Sequence, residues 1–264
     1  MPQHIARKRF GQHFLQDQRY IERIIAAFAP RPADCIVEIG PGLGVLTREL
    51  LHHTQSLDAV ELDRDLIAHL QRDVVPLGRL TLHNADALNF DFCHLAQGPH
   101  TLRVIGNLPY NISTPILFHL FDQLDCIHDM LFMLQKEVVD RMCAQPGGRD
   151  YGRLSVMLQW RCRVESLFQV PPGAFSPAPK VDSAIVRLTP HLKPVVEIRD
   201  PLHFSALVKA AFAQRRKTLR NTLKNMVSAE AMQTLGIDPG RRAETLSLTE
   251  FAALANLTLR SAKP

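Results

Sequence analysis

The sequence predicts an α/β chain, with a Rossmann-like, mostly parallel, doubly wound sheet and a small all-helical C-terminal domain. Three observations carry the architecture. From residue 34 onward, short apolar runs alternate with segments of helical spacing, as in a parallel sheet with crossover helices. A glycine-rich turn joins the first run to the helical segment after it. From about residue 201 to the end the pattern is helical, with a turn at Gly236 to Gly240.

The first strand is Cys35-Ile-Val-Glu-Ile39, followed by Gly40-Pro-Gly-Leu-Gly44 and by helical spacing from Val45 to His53. Leu57-Asp-Ala-Val-Glu61 is the second strand and leads into a helix from about Arg64 to Arg72. Leu80-Thr-Leu-His83 is the third and Leu102-Arg-Val-Ile105 the fourth. A helix from Ile112 to Leu124, a fifth strand Met130-Leu-Phe-Met-Leu134 and a helix from Lys136 to Cys143 complete the alternation. The loop Gln145-Pro-Gly-Gly-Arg-Asp150 interrupts it. Beyond that loop Leu154 to Trp160 reads as helix, and Val164 to Val170 with Ala184 to Leu188 reads as an antiparallel hairpin closing the sheet edge. Pro190, Pro194 and Pro201 mark a linker, so two domains are expected, 1–190 and 191–264. In a doubly wound sheet ligands collect at the carboxyl ends of the strands, which is where the chemistry is sought.

Composition narrows the function classes. The 264 residues are 46% hydrophobic and 22% charged, which excludes disordered and fibrous classes. The formal charge is +5 and the pI about 9.1, a mild excess that suits an anionic partner such as nucleic acid. No run reaches the roughly eighteen apolar residues of a membrane span, and no apolar stretch follows the basic N-terminus as it would in a secretion signal. A cytoplasmic protein without membrane contact is expected. The five cysteines are scattered and odd in number, so no disulfide framework is expected. The histidines show no metal-ligand spacing, and no metal site is expected.

Gly40, Gly42 and Gly44 lie where the chain must turn sharply and let a ligand approach the backbone. Their G-x-G-x-G spacing differs from the G-x-G-x-x-G of dinucleotide folds and argues against a nicotinamide-dependent oxidoreductase. It suits an adenosyl ligand that has no pyrophosphate. Glu61, at the end of the next strand, offers two acceptor oxygens for a pair of ribose hydroxyls. Asp86, after the third strand, can accept from an adenine amino group.

The segment Asn107-Leu108-Pro109-Tyr110 follows the fourth strand directly. An adenine 6-amino group is a poor nucleophile, because its lone pair is delocalised into the ring. An amide oxygen and a main-chain carbonyl, both accepting from that amine, would align it and push it toward tetrahedral geometry without a charged base. Asn107 supplies the first acceptor and Leu108 the second. Pro109, which has no N–H, stiffens the turn. Tyr110 offers a face on which an extruded base can stack. Methyl transfer to adenine from an adenosyl sulfonium is the chemistry this set of residues suits.

On these and further stretches the chain resembles the KsgA-type small-subunit rRNA adenine dimethyltransferases over nearly its whole length. The matching segments are Phe10-Gly-Gln-His-Phe-Leu15, Val37-Glu-Ile-Gly-Pro-Gly42, Val60-Glu-Leu-Asp-Arg64, Ala85-Asp-Ala87, Asn107-Leu-Pro-Tyr-Asn-Ile-Ser113, Gln135-Lys-Glu-Val138, Tyr151-Gly-Arg-Leu-Ser155 and Phe175-Ser-Pro-Ala-Pro-Lys-Val-Asp-Ser183. The resemblance implies a Rossmann-like class I methyltransferase domain with a small helical C-terminal domain, and S-adenosylmethionine as donor. It also implies two adjacent adenines near the 3′ end of 16S rRNA as targets, on a partly assembled small subunit. It places the donor against His13, Leu15, Gly40, Glu61, Asp86 and Asn107; position 13 is often Asn in the family. The macrolide-resistance rRNA methyltransferases share the sheet domain and a similar Asn-x-Pro-Tyr, but differ near Pro179-Lys-Val-Asp-Ser183. Phe175, in a Pro-rich loop, is expected to sandwich the target base opposite Tyr110.

Arg216, Arg220 and Lys224 recur at helical spacing and are expected to form a basic stripe for RNA phosphates, with Arg7, Lys8 and Arg9 as a shorter cluster. A monomer is expected. A second functional class, a ribosome assembly factor whose binding is the essential service, is compatible with the first.

Overall fold

The computed structural model describes residues 13–261. The first short strand, β1 (Phe14–Leu15), leads into α1 (Gln18–Phe28), whose first turn is capped by the Asp17 carboxylate accepting from the Arg19 N–H. Five strands and four helices follow: β2 (Cys35–Ile39), α2 (Val45–His53), β3 (Leu57–Glu61), α3 (Arg64–Asp73), β4 (Leu80–Asn84), β5 (Leu102–Asn107), α4 (Ser113–Phe121), β6 (Ile127–Gln135) and α5 (Lys136–Cys143). Only a 3₁₀ turn at Phe92–Leu95 joins β4 to β5. Then come α6 (Arg153–Arg161), β7 (Cys162–Val170), the two-residue β8 (Phe175–Ser176) and β9 (Ser183–Pro190). The remainder is α7 (Pro201–Ala211), α8 (Leu219–Thr222), α9 (Ala229–Thr234) and α10 (Leu248–Ser261).

The main sheet has the order β4-β3-β2-β5-β6-β9-β7. Strands β4 to β6 are mutually parallel, and β9 joins β6 antiparallel, with Gln135 opposite Ser183. The order reverses between β2 and β5, whose carboxyl tips carry Gly40 and Asn107. That reversal is the crevice in which such sheets hold ligands. The two tips approach closely because residue 106 is glycine: a Cβ there would lie 2.5 Å from the Ile39 carbonyl oxygen. The central parallel strands β2, β5 and β6 are mostly apolar because both their faces are covered, and Val37, Val104 and Leu131 are all buried, as is Ile185 on the antiparallel β9.

Contacts divide the chain into two units, residues 1–139 with 165–190, and residues 140–164 with 191–264. A cut after residue 190 therefore leaves 140–164, including α6, on the other side of the division. The second unit has its own core. Trp160 meets Phe204 edge-on at 5.2 Å and Phe212 meets Phe251 at 5.7 Å. Asp200 caps α7, accepting from the N–H groups of Leu202 and His203. Ser247 and Glu250 cap α10 reciprocally.

Two expectations are corrected here. Residues 212–218 are not helical, and α8 is only four residues long, so Arg216, Arg220 and Lys224 are exposed but do not form one helix face. The N–H groups of Leu219 and Arg220 instead bond the carbonyls of Arg241 and Pro239, which replaces the helical ladder with tertiary partners. Cys93 and Cys126 are joined by a disulfide, because the turn before β5 and the entry to β6 converge around Gln123. Arg7, Lys8 and Arg9 lie outside the described residues. No helix among the described residues is long and apolar enough to cross a membrane.

Candidate active site

A cleft of about 260 Å³ opens at the carboxyl edge of β2, β3 and β5. The sequence-predicted residues His13, Leu15, Gly40, Gly42, Glu61, Asp86 and Asn107 through Tyr110 all border it.

The glycine turn forms its floor. Gly40 and Gly42 take φ of +66° and +58°, a conformation that side chains rarely adopt. A Cβ on Gly42 would also press the Phe14 ring at 3.1 Å. Glu61 ends β3 and is buried, its Oε1 accepting from the Asp63 N–H at 2.9 Å and its Oε2 from the Gly42 N–H at 3.3 Å. Burial raises its pKa above the ordinary carboxylate value, and the backbone N–H donors counteract part of that rise. Asp86 is oriented by the Leu88 N–H at 3.0 Å and the Asn89 side-chain amide at 3.1 Å.

Asn107 stands at the tip of β5. Its Nδ2 donates to the His13 carbonyl at 3.0 Å. A carbonyl can only accept, so this bond fixes which end of the amide is nitrogen. The Oδ1 has no partner among the described residues, and neither has the Leu108 carbonyl. The Leu108 side chain is buried and its N–H is held by the Met133 carbonyl at 3.2 Å, which anchors the turn to β6. The Tyr110 hydroxyl shares a 2.6 Å hydrogen bond with the buried Ser183 hydroxyl, and burial raises the phenol pKa. The Tyr110 ring is thus pinned by one edge.

Phe175 does not face the cleft. It pairs in register with Leu15, is only 5% exposed, and belongs to the core with Leu15, Ile24 and Ile185. The ring in stacking contact with Tyr110 is that of His13, with centroids 5.6 Å apart and planes inclined by 26°. The expected sandwich by Phe175 is not formed in this structure, where the ring packs in the core and is not among the residues that border the cleft.

Glu38 also borders the cleft and was not singled out from the sequence. It is buried in β2, its Oε2 accepting from the Thr47 hydroxyl at 2.6 Å. Burial pushes its pKa up to about 7, with the nearby Glu61 adding to the rise and the Thr47 bond opposing it. The signal was available: a carboxylate inside an otherwise apolar five-residue strand needs a reason.

The model of one protein family, described as ribosomal RNA adenine dimethylase, matches residues 3–259. The chain belongs to that family. Among similar proteins, a "Ribosomal RNA small subunit methyltransferase A" of Methylococcus capsulatus is 57% identical, covering 96% of this chain and 97% of that one. The protein of the same name from Pseudomonas aeruginosa is 55% identical, covering 96% and 95%. A solved dimethyladenosine transferase from Plasmodium falciparum shares 26% identity and a TM-score of 0.78, over 92% of this chain and 96% of that one. The 23S rRNA methyltransferase ErmE also shares 26% identity, with a TM-score of 0.71 over 92% and 98%. Members of this family are class I methyltransferases, and the sheet order and glycine turn of this chain conform to that fold.

Proposed function

We propose that the protein transfers methyl groups from S-adenosylmethionine to the 6-amino groups of two adjacent adenines near the 3′ end of 16S rRNA. It acts as a monomer in the cytoplasm on a partly assembled small subunit and contributes to subunit biogenesis. The observation that carries this reading is the pair of open acceptors, Asn107 Oδ1 and the Leu108 carbonyl, beside the glycine turn of a chain in this family.

The residues present fit the donor. A Cβ at Gly40 would come no closer than 3.9 Å to any atom beyond its chain neighbours, the Asn107 carbonyl oxygen, so the floor there is open to a ligand. Gly40 and Gly42 would present backbone, Glu61 would accept from ribose hydroxyls, and Asp86 would accept from the donor's adenine. His13, Leu15 and Asn107 border the same space. When bound, S-adenosylmethionine supplies an electrophilic methyl group on a sulfonium.

The chain's own residues then treat the target. In the first transfer Asn107 Oδ1 and the Leu108 carbonyl accept the two N–H bonds of the adenine amine, which holds its lone pair toward the donor side of the cleft. In the second, the one remaining N–H is held by one of these acceptors, and each N–C bond formed at the expense of the donor's S–C bond releases one amine proton to solvent. As the amine gains positive charge, the two fixed dipoles stabilise it without reorganising. Pro109 keeps the turn rigid, and Tyr110 carries the extruded base on its ring. Arg216, Arg220 and Lys224 hold RNA phosphates.

The test is to incubate the protein with methyl-labelled S-adenosylmethionine and small subunits lacking the modification, then map the label. Dimethylated adenines near the 3′ end of 16S rRNA are expected. Label confined to protein or to large-subunit RNA would contradict the reading.

A further inference from the structure

We propose a second binding site, for a phosphate group, in a cavity at the amino edge of the sheet, with the guanidinium groups of Arg187 and Arg31 as its donors. It lies at the opposite end of β5 from the Asn107 tip and shares no lining residue with the donor cleft.

The cavity measures about 470 Å³ and lies wholly within the first unit, between the end of α1, the turn before β5 and the starts of β2, β5 and β6. Its floor is charged where the middle of the sheet is apolar. Arg103 and Asp129 are register partners on β5 and β6, and Arg187 on β9 stands opposite Leu131, two residues beyond Asp129. All three therefore project from one face of the sheet.

The charges on that face do not balance. The Arg103 guanidinium binds both oxygens of Asp129, at 2.7 and 2.8 Å, and an oxygen of Asp34 at 2.6 Å. Two carboxylates thus serve one guanidinium. Arg187 and Arg31, which line the same cavity, are left without a carboxylate partner among the described residues. Arg187 donates through Nη2 to the Ala27 carbonyl in the last turn of α1, but its Nε is buried with no hydrogen-bond partner among the described residues. A buried cationic N–H that meets no acceptor is destabilising, so a chain that keeps one beside a polar cavity has a place for an acceptor that is not its own.

The backbone around the cavity is also held in an uncommon conformation. Ala29 and His100, the two non-glycine residues with positive φ among the described residues, at +49° and +53°, both line it. Ala29 ends α1, whereas His100 is fixed by its N–H on the Asp125 carbonyl and its Nδ1 on the Ile127 carbonyl. Such strain persists where surrounding contacts impose it, and it gathers at binding sites.

The ligand class follows from the donors. A guanidinium edge matches the oxygens of an oxyanion. Arg187 approaches from the sheet and Arg31 from the loop after α1, a loop steadied by the Arg31 N–H on Asp34 at 3.0 Å. A phosphate has at least three terminal oxygens to share between two such groups, where a carboxylate has two. The volume leaves room for an organic group on the phosphate. The same chemistry comes from two sources, a free phosphomonoester or an RNA backbone, and the test separates them.

The full chain is titrated with inorganic phosphate and with ribose 5-phosphate by calorimetry, at constant ionic strength and with S-adenosylmethionine at saturation. Wild type is set against Arg187→Lys, which keeps the charge and loses Nε, and against Arg31→Ala, at an exposed position whose loss leaves the core intact. The expected result is saturable binding alongside the donor. Its Kd rises about tenfold or more in Arg187→Lys and about fivefold in Arg31→Ala, with donor affinity unchanged in both. Small-subunit binding then identifies the source. A drop of about one in the slope of log K against log salt in the variants assigns the site to the rRNA backbone, and an unchanged slope assigns it to a free phosphate ligand. Should Arg187→Lys unfold, Arg31→Ala decides alone. Absence of phosphate binding to wild type, or binding that neither variant weakens, overturns the proposal and leaves Arg187 as a cap on the carboxyl end of α1.

Discussion

Leu15 and Phe175 lie opposite each other across an antiparallel pair of two-residue strands, and both are buried. That pairing, with the Gln16 N–H donating to the Ala174 carbonyl at 2.8 Å, ties the segment that carries His13 to the Pro-rich loop. Phe175 therefore contributes to the site by holding its frame. We expect Phe175→Ala to cost about 3–5 kcal/mol of stability, as large core truncations do, whereas Phe175→Leu costs less and keeps near-normal turnover. Denaturant unfolding with parallel methylation assays checks this. Loss of activity in Phe175→Leu at unchanged stability would restore a direct stacking role.

Glu38 makes stability depend on pH. Its folded pKa of about 7 lies above the ordinary value of 4.5, so the native state holds a proton there that the unfolded chain has released. Stability from this group is full below about pH 4.5 and declines as pH rises through 7, a total on the order of 3 kcal/mol. Glu38→Gln removes the dependence: we expect its melting temperature to exceed that of wild type at pH 8 and to match it near pH 5. Thermal melts across that range decide it, and a parallel drop at both pH values would refute the account.

Glu61→Gln should weaken S-adenosylmethionine binding by about tenfold or more, since hydrogen bonds to a charged acceptor are worth ~1.5–3 kcal/mol. Calorimetry measures this directly. An unchanged affinity would remove Glu61 from the donor site.

Replacing Arg216, Arg220 and Lys224 together with Ala should flatten the salt dependence of small-subunit binding. The expected change in the slope of log K against log salt is about two to three, with donor affinity unaffected. An unaltered slope would mean that these exposed cations do not meet phosphate.

How much of this was legible in the sequence depended on the residue. Strands β2 to β6 announced themselves as short runs rich in apolar residues, because the middle strands of a parallel sheet are covered on both faces, and Asn107-Leu-Pro-Tyr110 stood out by following one directly. Gly40, Glu61 and Asp86 could be placed from strand ends alone. Phe175 could not, because an aromatic in a Pro-rich loop reads the same whether it turns inward or outward; only its pairing with Leu15 decides. The basic stripe failed for a different reason. The spacing of Arg216, Arg220 and Lys224 is helical, but hydrogen bonds from Leu219 and Arg220 to Arg241 and Pro239 come from residues distant in sequence, and local periodicity does not contain them. The Cys93–Cys126 pair, 33 residues apart, was hidden in the same way.

The central claim is that Asn107 aligns the adenine amine with its open oxygen while the His13 carbonyl holds its nitrogen. The most direct measurement is the turnover of Asn107→Ala on unmodified small subunits, set against its affinity for S-adenosylmethionine. We expect turnover to fall by roughly a hundredfold or more, as when a preorganised hydrogen-bonding group is removed, with a smaller change in donor affinity. Wild-type turnover in that variant would contradict the account.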